Sequence, residues 1–247
     1  MSEYHIETLR WYDHWLKGMD SGVMEGPPIK IWVQGDNAWR SENEWPLART
    51  EWRELYLGGS GTGPEGTLDW SAGRSGERGY DYDPTSNDWL WGRPRLTYRT
   101  APLDKELEIT GPLQLDLWIT STAKDTDFLA VLYDEAPDGS LNDVTKGWLR
   151  ASHRAVDPKL SYQNQPWHPH TKIEELTPGE ATLLPIEIIP TCYVLKPKHR
   201  MRLEIASCDS MAEHNLRLHR TLLNPARNVV LEGGSHPSKL CVPVIPR

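Results

Sequence analysis

Phenylalanine is nearly missing from this chain: one residue in 247, against 12 tryptophans and 9 tyrosines. The aromatic mass is therefore indole, and every indole that is buried needs a partner for its N–H. Cysteine is scarce too. Cys192, Cys208 and Cys241 are odd in number and lack metal-ligand spacing, which argues against a disulfide framework. Reduced, structural thiols in a cytoplasmic protein are the expectation. No run of about 18 apolar residues occurs, so no transmembrane helix is expected. The opening MSEYHIETLRWYDHW is acidic and aromatic where a secretory leader needs a basic start and an apolar run. Positive charge is in deficit, with 27 Lys and Arg against 35 Asp and Glu and a net charge of −8. That balance argues against a nucleic-acid partner and for a solvated acidic surface. The apolar share is only 38% and the mean hydropathy −0.61. The apolar residues nonetheless fall in short ordered runs, so the chain is not read as disordered.

A nucleophile elbow is also lacking. Its G-x-S-x-G spacing puts a serine on a tight strand–helix turn with no side chain in the way. Ser60 follows Gly58 but precedes Thr62, Ser75 follows Gly73 but precedes Glu77, and Ser235 follows Gly233 but precedes Pro237. None sits in a parallel βαβ pattern. No catalytic, cofactor-binding or metal residue is assigned in this chain, and no cofactor is expected.

What the sequence does contain is one helix followed by many short strands. Leu9, Tyr12 and Leu16 recur at helical spacing, Trp11 and Trp15 widen the stripe, and Gly18 is placed to end it. Such a stripe has to pack on something. After Pro27-Pro28 the pattern changes to β runs: 29–33, 52–57, 96–100, 106–110, 113–121, 128–133, 148–153, 182–189, 201–206, 229–231 and 240–244. In the run 113–121, Leu113, Leu115, Leu117 and Ile119 should line one face, with Gln114, Asp116 and Trp118 on the other. The Gly/Ser/Asp-rich stretch 58–88 reads as a surface excursion. The expected fold is an all-β jelly-roll sandwich with a short N-terminal α-helix.

Other motifs have ordinary readings. Gly61-Thr-Gly63-Pro-Glu-Gly66 fits G-x-G-x-x-G in letters, but Pro64 predicts no helix whose N–H groups would hold a phosphate. His168-Pro-His170 with Glu174 resembles part of a cupin metal site, yet Tyr162 stands where a cupin has glycine. A polar surface loop is the expectation there, with a metal-dependent jelly-roll enzyme using His168 and His170 as an alternative. Asp125, Asp127, Asp134, Asp138 and Asp143 lack EF-hand spacing and read as turn and surface chemistry. Asp209 and Asn215, in IASCDSMAEHN, are expected to serve a turn or cap. Trp32, Trp39, Trp45, Trp52, Trp70, Trp89 and Trp91 either stack on sugars or pack into a seam or the core.

Several phrases in order resemble the CocE/NonD hydrolases, a family that takes in cocaine esterase, α-amino-acid ester hydrolases and X-Pro dipeptidyl-peptidases. They are RWYDHWLKG, IKIWVQGDNAWRSENEWPLA, ELEITGPLQLDLWITSTAKDTDFLAVLYDEAPDG, GWLRASHR, PGEATLLPIEIIPTCYVLKPKHRMRLEIASCD and HPSKLCVPVIP. The resemblance implies that 1–27 is a helix and linker from the end of an α/β-hydrolase domain. It implies that 28–247 is the family's C-terminal, galactose-binding-like jelly roll. The Ser, acid, His and oxyanion donor of that family belong to its hydrolase domain. The implied role is a non-catalytic module that packs against the hydrolase and helps wall its active site, where esters or X-Pro amides are cleaved. The partner would be an α/β-hydrolase domain or subunit, or a second copy through a bared seam; Met1 suits either a split gene or a truncated piece. The alternative from the binding class is a free-standing carbohydrate or ligand module.

Overall fold

The computed structural model describes residues 3–61, 63–86, 92–209 and 224–247. Trp89, Trp91 and Asn215 lie outside them. Helix α1, Glu3–Lys17, ends as its sequence predicts. Gly18 takes φ +66°, its N–H reaches His14 O, and Met19 N–H reaches back to Asp13 O, a Schellman closure. The strands are β1 Ile29–Val33, β2 Ala38–Glu42, β3 Glu51–Gly58, β4 Glu65–Asp69, β5 Gly76–Tyr82, β6 Arg95–Arg99 and β7 Leu107–Ser121. There follow β8 Asp127–Glu135, β9 Leu141–Arg150, β10 Thr182–Leu195, β11 Arg200–Ala206, β12 Ala226–Glu232 and β13 Lys239–Ile245. β1 and β2 form a separate hairpin, and the other strands make one continuous ladder wrapped into an all-β sandwich.

Strand β7 is the spine. Its buried positions Leu113, Leu115, Leu117 and Ile119 alternate with half-buried Gln114, Asp116 and Trp118, the two faces its sequence predicts. One edge pairs with β10 along its length. The other pairs with β13 over its first part and with β12 at its end. Between those two partners the Trp118 N–H would be left over, and the Ser238 hydroxyl accepts it at 2.9 Å. The core then joins β7 and β10 to Phe128, Ala130 and Leu132 of β8 and Leu203 and Ile205 of β11.

The sequence reading differs from the structure in four places. The run 148–153 is the end of the longer strand β9, and its last three residues leave the sheet as the 3-10 turn Ala151–His153. Runs 106–110 and 113–121 are one strand, because Gly111 at φ +141° carries the chain across the break while Pro243 packs on it. The stretch 58–88 is no mere excursion: it holds β4 and β5, whose inward residues Leu68, Tyr80 and Tyr82 are buried. Alternation there is disguised by glycine and by Arg78, an inward residue that is charged. β2 also forms, paired to β1 in register Trp32↔Trp39.

Arg78 is 1% exposed and its Nε lies 3.0 Å from Glu232 Oε1. Tyr98 donates its hydroxyl to the same carboxylate at 2.9 Å. Burial pushes the Glu232 carboxyl above its ordinary range even beside Arg78. The guanidinium also donates to the carbonyls of Gly61, at 2.6 Å, and Gly58. Gly66 lets this group close, since a Cβ there would meet Tyr98 at 2.5 Å and Arg78 at 2.8 Å. Breaking a buried pair on one side leaves a bare charge, at a cost of about 3–5 kcal/mol. Arg78→Met should lose that much in urea unfolding, and adding Glu232→Gln should recover part of it. At the far side of the sandwich, a Cβ on Gly147 would sit 2.0 Å from Glu187 O. Gly147→Ala should therefore destabilise by at least about 1–3 kcal/mol in the same assay.

Candidate functional site

Among the described residues, tryptophan is absent from the core. Of the ten indoles in the described residues, Trp118 is half-buried and the other nine are exposed. The core is filled by leucine, isoleucine and tyrosine instead. Of the two placements open to the indoles, interior or surface, the structure takes the surface.

Two groups of indoles lie side by side. α1 buries none of its residues. Leu9, Trp11, Tyr12, Trp15 and Leu16 are all about half exposed or more, with the Trp11 and Trp15 rings 5.8 Å apart. The β1–β2 hairpin carries Trp32 and Trp39, edge to face at 5.3 Å. Lys30 joins the groups: its Nζ sits 5.1 Å over the Trp39 ring and pairs with Glu3 in the first turn of α1. Next to the hairpin, Ile31, Trp32, Trp45 and Ile189 line an open groove of about 400 Å³.

The hairpin is held to the sandwich by backbone and charge. Gln34 N–H donates to Cys192 O, and Val194 N–H donates to Gln34 O. Gly35 permits this approach, since a Cβ there would fall 2.3 Å from Val194 O. Arg40 spans Glu42 of β2, at 2.7 Å, and the fully buried Glu108 of β7, at 2.6 Å. Lys196 and Arg247 both hold Asp36 and Glu106. The Arg49 guanidinium above all, with Arg40 behind it, holds the Glu42 carboxyl below the usual carboxylate range.

The other candidates resolve individually. Gly61 and Gly63 turn carbonyl oxygens toward Arg78, the reverse of a phosphate cradle, and the chain enters β4 rather than a helix. Ser235 Oγ lies 3.0 Å from His236 Nδ1. That ring stacks edge-on against Trp118 at 4.7 Å and meets no carboxylate among the described residues, so the two make no triad. Asp125 accepts from the Ser152 N–H and hydroxyl, Asp127 pairs with Arg150, Asp134 holds Tyr193 and His199, and Asp138 closes a turn on Ser140. Asp138 and the exposed Asp143 fit the turn and surface reading, whereas Asp127 and Asp134 are buried in β8 and held by their partners, which that reading did not expect. Asp209 is buried. The HxH pair is split: His168 Nδ1 and Nε2 face Ala155 O at 3.1 Å and Pro185 O at 3.0 Å, whereas His170 turns to His153. The two carbonyls flank the His168 ring, which when neutral donates to only one of them, and the ring lies 6.0 Å from that of His170. No three His, Cys, Asp or Glu converge among the described residues. Cys192 and Cys208 are buried and Cys241 half-buried, none of them in a disulfide. Burial pushes the Cys241 thiol up to about 12. No helix in the described residues is long and apolar enough to cross a membrane.

An all-β sandwich with exposed indoles paired on one helix and one hairpin defines a module with aromatic surfaces to offer. Residues 21–241 match the family described as the X-Pro dipeptidyl-peptidase C-terminal non-catalytic domain, and the chain belongs to that family. The chain is 29% identical to the cocaine esterase of a Rhodococcus strain, over 96% of its own length and 45% of the esterase's. It is 32% identical to a Mycobacterium bovis protein provisionally assigned as a serine esterase, covering 83% of this chain and 36% of that one. A CocE/NonD family hydrolase from Staphylococcus aureus superposes with a TM-score of 0.82 at 22% identity, over 99% of this chain and 46% of the hydrolase. The chain thus spans less than half the length of each of these relatives.

The depressed Glu42 implies a pH dependence. Unfolded Glu42 takes up its proton at a higher pH than the folded form does. Its contribution is therefore present at neutral pH and is lost as the pH falls through and below the ordinary carboxylate range. Glu42→Gln should lower Tm at neutral pH and narrow the Tm difference between neutral pH and about pH 3. Thermal melts at the two pH values check both.

Proposed function

We propose that this chain is a non-catalytic β-sandwich module that docks on an α/β-hydrolase part and helps wall its active site. The observation that carries the reading is the bare helix. An isolated helix of about 15 residues is marginal in water, and α1 presents Leu9, Trp11, Tyr12, Trp15 and Leu16 with nothing over them among the described residues. Residues 1–27 are then the stretch that belongs structurally to the hydrolase side, and 28–247 the jelly roll proper. The chemistry to which the module would contribute is acyl transfer by a serine nucleophile on esters or on amides after proline. Without its partner, the same aromatic face favours self-association. Three cysteines outside any disulfide suit a reducing compartment such as the cytoplasm.

The test is capture and assay with the α/β-hydrolase fragment of a CocE/NonD enzyme that has been freed of its own sandwich. The chain alone should not turn over a p-nitrophenyl ester, and the mixture should. Truncating a buried interface tryptophan costs about 2 kcal/mol or more. Trp15→Ser should accordingly weaken capture at least about tenfold while leaving the sandwich's own unfolding midpoint unchanged. Turnover by the chain alone, abolished by changing one of its own side chains, would overturn the proposal.

A second reading, a free-standing carbohydrate or ligand module, draws on one specific feature. Trp52, Tyr56 and Trp70 border a cleft of about 350 Å³ with Glu54, Gln163 and Asn164. Asn164 is buried and its Nδ2 lacks a partner among the described residues. Glycan titration followed by tryptophan emission tests this. A saturating change that Trp52→Ala removes would favour it over simple scaffolding.

A further inference from the structure

We infer that His153 and His170 form a two-imidazole site for a divalent transition-metal ion. The two Nδ1 atoms face each other at 2.9 Å, with ring centroids 5.1 Å apart. Zinc–imidazole bonds are about 2.0–2.1 Å long, so two ligands at a tetrahedral angle on one ion sit about 3.3 Å apart, and the pair at 2.9 Å has to open only slightly to reach that spacing. In neutral rings the contact needs one N–H and one lone pair. An ion cannot sit on the line between the two nitrogens, where it would be about 1.5 Å from each; a small swing of the rings lets both Nδ1 lone pairs converge on an ion beside that line, as the shared proton moves through solvent to Nε2 of the donor ring.

The surroundings hold both rings in place. His153 ends the short turn Ala151–His153, whose first two residues are buried and whose Ser152 is held by Asp125 through two hydrogen bonds. His170 lies in a loop pinned on both sides. His168 anchors it to the Ala155 and Pro185 carbonyls, and Glu174 N–H donates to Ser152 O at 2.8 Å. His170 itself takes φ +52°, a left-handed conformation that a side chain rarely adopts without compensation, and it is this conformation that accompanies the ring's contact with His153. The pair opens on a cleft of about 380 Å³ bordered by Trp148, Phe128 and Leu149, so an ion has a way in. Asp127 and Arg150 in the same cleft are already paired at 2.9 Å. With no third protein ligand among the described residues, the remaining coordination positions belong to water or an added ligand. Binding is then reversible and the bound ion is open to exchange.

The sequence motif pointed to the wrong partner. The ligands are His170 and a histidine 17 residues before it, whereas His168 serves as the loop's anchor. The test is calorimetric titration of the full, untagged chain with zinc chloride in a non-chelating buffer. One equivalent should bind to the wild type, at least tenfold more weakly to His153→Ala and to His170→Ala, and unchanged to His14→Ala on the exposed helix. Both site residues are at the surface, and circular dichroism verifies that each variant is folded. Histidine ring NMR gives a second measurement, in which zinc should shift the signals of His153 and His170 and leave those of His14 on the exposed helix. No uptake by the wild type, uptake indifferent to both substitutions, or loss in only one of them would overturn the proposal.

Discussion

The two-sided pairing of β7 is the constraint from which the rest of this fold follows. A strand buried among other strands has to satisfy its amides and carbonyls on both edges. At 15 residues, β7 outruns any single neighbour on one of them. β10 covers one edge entirely, and β13 and β12 divide the other, with Ser238 capping the amide stranded between them. Once those partners are set, β5, β3 and β4 attach in turn, and the ladder continues through β6 and β11 to β8 and β9. The polar counterpart is Arg78, whose guanidinium links Glu232 of β12 to the carbonyls of the loop before β4. A second buried polar group, Asn228 with Ser121, Thr126 and Ser207, joins β12 to β7 and β8 in the same manner. Donors and acceptors in it are matched, as interior polar groups require.

Sequence made the spine legible because β7 alternates cleanly, with one face fully apolar. It made α1 legible through the helical spacing of Leu9, Tyr12 and Leu16 and the stop at Gly18. β4 and β5 stayed hidden because their inward positions include Arg78, which no hydrophobic pattern marks as interior. The join at Gly111 stayed hidden because Gly-Pro ordinarily ends a strand, and only the packing of Pro243 shows why it does not do so here. The histidines illustrate the same limit. Adjacent spacing proposed His168 with His170, while the folded loop turns one ring to backbone carbonyls and the other to His153. Local spacing cannot register a contact between residues brought together by a loop closure.

Tryptophan placement gives the chain its functional character. Indoles on a surface are expensive to leave wet, and here they gather on α1, on the β1–β2 hairpin and around the outer clefts, while tyrosine and aliphatic residues fill the interior. The hairpin that presents Trp32 and Trp39 is fastened by Arg40, Lys196 and Arg247, an investment in rigidity at the surface and not in the core. The family to which the chain belongs, the X-Pro dipeptidyl-peptidase C-terminal domain, is itself described as non-catalytic.

The raised thiol of Cys241 has a consequence for chemical wear. Burial keeps it protonated at neutral pH, and it is the ionised sulfur that attacks peroxide or alkylating agents. Cys241 points away from the core, into the cleft bordered by Trp52, Tyr56 and Trp70. The one thiol that borders that open aromatic surface is thereby slow to take up an electrophile.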